Sequence, residues 1–160
     1  MKKLNLGCGD EVMEGYINCD LYNPKADVMC DARNLPFEDN SIDEVYVCHL
    51  LEHFNFKESF DVLKEWKRVI KEGGMLVIET PDLLASCKKF VESDDTYRVN
   101  VLYGHMFAKP WLEGETHKFL YTETQLSWAL RQLGFKNIQR QVALRYRERE
   151  DICLKMTGVK

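Results

Sequence analysis

At 160 residues, with 45% hydrophobic and 30% charged side chains, the chain has the composition of one soluble globular domain, far from disordered or fibrous proteins. A formal net charge of -4 gives no global attraction to nucleic acid or anionic lipid, and no run approaches the ~18 apolar residues of a membrane helix. The start MKKLNLG runs directly into a strand without a signal-peptide core, and six cysteines form no CxxC pair, so the expectation is a cytoplasmic protein with reduced, packing thiols.

In chain order, Lys3 to Leu6 is predicted to form a buried strand, Tyr16 to Asp20 a second and Asp27 to Cys30 a third, with NPKA between the last two. NLPFEDNSID is turn-rich, and the following EVYVCHL is apolar almost throughout, as in a strand covered on both faces. From Lys57 to Lys71, Phe60, Leu63, Trp66 and Ile70 recur at helical spacing, with Gly73-Gly74 as the left-handed stop. MLVIETP reads as a fifth strand, and Leu83 to Val91 as a helix through Leu84, Cys87 and Val91. Residues 97–118 show no clear period. Thr122, with Gln125 three residues on, makes a capping box for a last helix that closes at Gly134. Strands Asn137 to Leu144 and Ile152 to Val159 then form a hairpin across RYRERE, whose alternating charges suit a solvated tip. No repeat or linker divides residues 1–160, so a single α/β domain is expected, with a mostly parallel sheet and a reversed C-terminal strand.

Two features of this plan bear on function. Gly7 and Gly9 end the first strand, where backbone can approach a ligand, and Asp20 ends the second, where an acid grips a ribose. GCGDEV places Val12 where a dinucleotide fingerprint wants its third glycine or alanine, so a pyrophosphate is not the expected ligand. The short connections between the first three strands leave no room for full crossover helices. The first helices are therefore expected to be reduced, with one sheet face thinly covered and available for self-association.

LNLGCG, NCDL, DARNLPFEDNSIDEVYVCHLLEHF and EWKRVIKEGGMLVIETPD, in that order, resemble the class I S-adenosylmethionine-dependent methyltransferases, directly over about half of the chain. The resemblance implies a Rossmann-like methyltransferase sandwich with S-adenosyl-L-methionine as cofactor. It implies that Gly7 and Gly9 approach the methionine part, that Asp20 accepts the ribose hydroxyls, and that Asp31, followed by Ala32, accepts the adenine amino group. Cys48 and His49 fall where the family lines the sulfonium end, and Asn5, Cys8, Leu21 and His53 are counted with this cofactor set. The motifs are most similar to small methyltransferases often associated with glycan biosynthesis. A small-molecule or glycan-type oxygen or nitrogen acceptor is the corresponding expectation, met by residues 97–118 as a substrate-facing lid. His117 resembles a histidine of the glycan-type enzymes and is the expected base, with His105 and Glu115 as further candidates.

Neither an Asn/Asp-Pro-Pro-aromatic tetrapeptide nor a Pro-Cys pair is present, which argues against nucleic-acid bases as acceptors. HLLEH, from His49 to His53, matches the H-x-x-E-H spacing of inverted zinc proteases, but the sequence offers no obvious third ligand and no metal is expected. Zinc hydrolysis and a non-catalytic protein of the same fold that binds the cofactor or a partner are the alternatives carried forward.

Overall fold

Leu4 and Leu6 alternate with Lys3 and Asn5, and this period-2 pattern forms β1 (Lys3–Leu6), at the centre of the sheet. The computed structural model describes residues 1–108, 115–143 and 151–160. In it β1 pairs in parallel with β2 (Ile17–Asp20), which carries the short edge strand β3 (Val28–Met29). On its other side β1 pairs with β4 (Ile42–Cys48), and β4 with β5 (Ile70–Pro81), again in parallel. Strands β6 (Lys136–Gln141) and β7 (Cys153–Val159) are antiparallel, giving the order β3-β2-β1-β4-β5-β7-β6. The α/β class, the parallel sheet and the reversed last strand thus agree with the sequence reading. The RYRERE tip lies outside the described residues.

One face of the sheet carries the core. Val45 and Val47 of β4, Leu76 and Ile78 of β5, and Leu154 and Met156 of β7 pack with Leu4 and Leu6 against two helices. These are α1 (Phe56–Val69), through Val62, Leu63 and Trp66, and the helix over Glu123–Gln132, through Leu126 and Leu130. Helix α1 starts at a capping box not noted in the sequence: the Asn55 side chain accepts from the Lys57 and Glu58 amides at 3.0 Å, and Glu58 reaches back to the Asn55 amide at 3.0 Å. Asn55→Ala should therefore cost about 1 kcal/mol and lower Tm by about 2–4 °C in calorimetry; an unchanged Tm would show the cap to be idle.

The end of α1 differs from expectation. The helix stops at Val69, before the glycine pair, and Gly73 and Gly74 lie within β5. The reason is tertiary: the last carbonyls are satisfied from outside, Arg68 and Val69 by the amides of Asn40 and Ser41, and Lys67 and Ile70 by the Lys160 ammonium at 2.8 and 2.7 Å. β4 likewise starts earlier than EVYVCHL and ends at Cys48, because His49 turns out of the strand with φ 51°.

After β5 come α2 (Leu83–Glu92), capped by Asp82, and a run of helical turns that corrects the aperiodic reading of residues 97–118 as far as Phe107; 109–114 of that segment lie outside the described residues. This run comprises α3 (Asp95–Tyr97), a π-helical turn at Arg98–Leu102 and α4 (Tyr103–Phe107). A π-turn breaks the 3.6-residue spacing by which helices are recognised in sequence. The capping box at Thr122 opens α5 (Glu123–Gln132) as expected. Cys87 on α2 is exposed, so it is not a packing thiol as its spacing suggested, whereas Cys8, Cys19 and Cys153 are buried.

Among the described residues, the opposite sheet face carries no crossover helix between the first three strands, as the short connections require. Tyr46, Met75, Val77 and Thr157, alternating with the core residues, line an open groove of about 850 Å³ together with Tyr16 and Met13. Where a crossover helix would pack, polar strand residues hold the loop 7–16 instead. Asn5 donates to the Glu11 carbonyl and to Asn18, both at 2.9 Å, and Asn18 accepts from the Met13 amide at 2.8 Å.

Candidate active site

Gly7 follows β1 with φ 64°, a conformation that strains an L side chain, and a Cβ there would press on a Leu50 methyl at 2.9 Å. Gly9 has φ 49° and open space where a Cβ would stand, which leaves its backbone facing a cleft of about 620 Å³ at the C-terminal ends of β1, β2 and β4. The cleft is lined by Gly7, Gly9, Asp20, Leu21, Asp31, Ala32, His49 and His53 of the expected set. Tyr22, Asn23, Arg33, Glu58, Glu115 and Lys118 line it as well. Asn5, Cys8 and Cys48 of that set do not: Asn5 and Cys8 are buried beneath the loop, and Cys48 falls on the Tyr46 side of β4.

Asp20 organises the mouth of this cleft. Its Oδ2 accepts from the Gly9 amide at 2.9 Å, and its Oδ1 accepts from the Tyr22 and Asn23 amides at 2.8 and 2.9 Å, while the Asn23 side chain donates to the Gly9 carbonyl. Burial alone would raise this carboxyl, but the backbone amides of Tyr22, Gly9, Asn23 and Leu21 hold it below its ordinary 3.8. Asp20 therefore stays ionised and joins the two loops that border the cleft. Its contribution to stability is complete above pH 3.8 and is lost as pH falls through the lower folded value.

Asp31 is also held below the ordinary carboxylate range, chiefly by Arg33, whose Nε reaches both oxygens at 2.9 Å. The turn behind it is fixed from the core, where the Trp66 indole donates to the Ala32 carbonyl at 3.0 Å. The packing of α1 thereby sets the position of the outer end of the cleft.

The four histidines of the chain gather around one glutamate. Glu52, in the 3₁₀ turn Leu51–His53, is 0% exposed; its Oε2 accepts from Thr80 Oγ1 at 2.9 Å and its Oε1 pairs with His49 Nδ1 at 2.9 Å. His117 Nε2 lies 3.9 Å from the same Oε1, the His53 ring stands edge-on to His117 at 4.9 Å, and His105 edge-on to His49 at 5.9 Å. Burial would push Glu52 up, but the bond and charge of His49, with His117 beyond, pull it below the usual range. Desolvation outweighs the attraction of Glu52 at His117 and lowers that imidazole. Of the two expected catalytic histidines, His117 has a side chain 6% exposed and His105 is buried with Nε2 donating to the Ile152 carbonyl at 2.9 Å; neither is among the residues lining the cleft.

The sequence pattern described as "Methyltransferase domain" matches residues 10–78. A SAM-dependent methyltransferase from Archaeoglobus fulgidus superposes with a TM-score of 0.66 at 18% identity, over 99% of this chain and 86% of that one. Residues 10–78 thus carry the methyltransferase-domain pattern, and the chain has the fold of the class I S-adenosylmethionine-dependent methyltransferases. A demethylmenaquinone methyltransferase of Staphylococcus epidermidis is 37% identical over 114 residues, which are 68% of this chain and 46% of the relative, so the chain spans about half the length of that protein. A Burkholderia thailandensis 1,6-didemethyltoxoflavin-N1-methyltransferase, solved with 1,6-didemethyltoxoflavin and S-adenosylhomocysteine, has the same fold at TM-score 0.66 and 16% identity, covering 99% of this chain and 70% of that one. In the sequence Glu52 stands out only as a letter of HLLEH. Arg33, Asn23, Lys118 and Thr80 belong to no local pattern that would give a signal.

Proposed function

We propose that the cleft binds S-adenosylmethionine and that the chain directs its methyl group to a small-molecule oxygen or nitrogen acceptor. One observation carries this reading: the open backbone at Gly9 and the ionised Asp20 meet at the mouth of the same cleft. The residues fit the cofactor, since a nucleoside needs a glycine turn free of Cβ and a carboxylate for its vicinal hydroxyls. When bound, it supplies a methyl group already activated by sulfonium charge. The work of the chain is to position both reactants and to receive a proton. Asp20 and Asp31 hold the ribose and adenine ends in this reading, and Glu115 and Lys118 border the acceptor side, as described residues of the lid segment.

For a hydroxyl acceptor the base in this proposal is His49, which lines the cleft, has Nδ1 held by Glu52, and has Nε2 3.8 Å from Cys153 Sγ. His117, the base expected from the sequence, acts here on Glu52, and His105 supports the His49 ring. The names of the relatives favour a small aromatic or quinone-type acceptor over a glycan.

Titration calorimetry with S-adenosylhomocysteine tests the cofactor site. Asp20→Ala should lower affinity by about 1–3 kcal/mol, roughly 5–150-fold, and Asp20→Asn should flatten the acid limb of the stability curve below pH 3.8. Unchanged affinity in both variants would remove Asp20 from the site. A screen of quinone-type, hydroxyl and amine acceptors with labelled S-adenosylmethionine tests transfer; tight binding with no transfer to any acceptor would favour a non-catalytic member of the fold.

A further inference from the structure

We propose that Glu52, His53 and His117 form a binding site for one divalent transition-metal ion, set in the wall of the cofactor cleft. Each residue offers one ligand atom, and the three atoms lie within 4.8 Å of one another. Ligands of a tetrahedral ion stand about 3.3 Å apart, so side-chain rotations closing the set by roughly 1–1.5 Å suffice. One carboxylate and two imidazoles suit ions of the zinc and cobalt type and leave a fourth position for water.

The hydrogen bonds around the trio favour this occupant. The Met106 carbonyl, 3.3 Å from His117 Nδ1, can only accept, so Nδ1 carries the proton and Nε2 turns its lone pair toward Glu52 Oε1 at 3.9 Å. Two acceptors facing each other at that separation call for a cation between them. A backbone carbonyl on the far nitrogen of a ligand histidine is also how metal sites fix the ring. Glu52 is braced in the same manner, by Thr80 on one oxygen and His49 on the other. His53 Nδ1 is buried and has no hydrogen-bond partner among the described residues. HLLEH supplies two of the ligands, and the fold brings the third from beyond α4.

The ion ties the turn Leu51–His53 to the segment carrying His117, which the Glu52 carbonyl already holds by accepting from the Lys118 and Phe119 amides at 2.7 and 3.2 Å. It thereby stiffens the cleft wall made by His53 and Lys118.

The test uses chelator-stripped full chain without cofactor, so that it stands apart from methyl transfer. Co²⁺ should saturate at one equivalent per chain, with visible bands of a four-coordinate nitrogen and oxygen site and no thiolate charge-transfer band. Zn²⁺ should displace it and, at about 100 times its dissociation constant, raise Tm by about 5–10 °C. His117→Gln and His53→Gln should each weaken Co²⁺ binding by at least 100-fold, while Cys87→Ser, at an exposed thiol, leaves it unchanged. Non-saturable binding, a thiolate band, or wild-type affinity in both histidine variants would overturn the assignment. Because wild type alone must show the bands and the Tm rise, failure of a variant to fold does not shelter it.

Discussion

Glu52→Ala is expected to destabilise the chain by about 3–5 kcal/mol and to lower Tm by about 6–20 °C in the presence of chelator, the largest stability effect among these substitutions. The carboxylate is 0% exposed and serves Thr80 Oγ1 and His49 Nδ1, each at 2.9 Å. Alanine leaves Thr80 Oγ1 buried without this acceptor, takes the carboxylate away from His49 Nδ1, and leaves a polar cavity between β5 and the His117 segment. Glu52→Gln has nearly the same shape and keeps one oxygen acceptor, so it should recover part of the loss. Its amide nitrogen faces a donor on one side, so recovery should be incomplete. Urea unfolding reads the difference, with m expected to stay constant while the midpoint falls. A change below 1 kcal/mol in the alanine variant would show that the histidine group is held by its backbone alone.

How much of this site the sequence discloses depends on the range of each interaction. Gly7, Gly9 and Asp20 are legible because each sits at the end of a strand, where residue type answers a local need: a positive φ, an approach of backbone, an acceptor for the next loop. The Thr122 capping box is legible for the same reason, closing within three residues. The end of α1 is not, because Lys160, at the far end of the chain, supplies the donor that terminates it. His117 shows the same limit at the site. Its position before the Thr122 box singles it out, but its partner Glu52 is set by the way β5 and the turns Asp95–Phe107 bring residues 115–119 back to the end of β4. The helical turns themselves were hidden by a π-turn that shifts the apolar spacing. The missing crossover helices were legible in chain length alone, and Asn5 and Asn18 show their physical replacement: polar strand residues that hydrogen-bond a loop where a helix would have packed on apolar ones.

With a hydroxyl acceptor, His49→Ala is expected to lower turnover by roughly 10²–10⁴-fold, the range removed with a positioned base. A hydroxyl holds its proton at neutral pH, so attack on the methyl carbon needs a group that receives the proton as the bond forms. An amine that has already lost its proton has no such need, and with that acceptor the loss should be small. His49 has φ 51°, a conformation that costs alanine strain and asparagine less, so His49→Asn is the second variant: it retains the turn and lacks the imidazole. The two variants should lose hydroxyl transfer alike while S-adenosylhomocysteine affinity, read by calorimetry, changes far less than turnover. Added imidazole should then restore part of the rate in His49→Ala, since a small base can occupy the vacated ring position. Rescue together with selectivity for hydroxyl acceptors is the signature of proton removal. Equal losses with hydroxyl and amine acceptors, or a loss that follows cofactor affinity, would instead assign His49 to shaping the cleft.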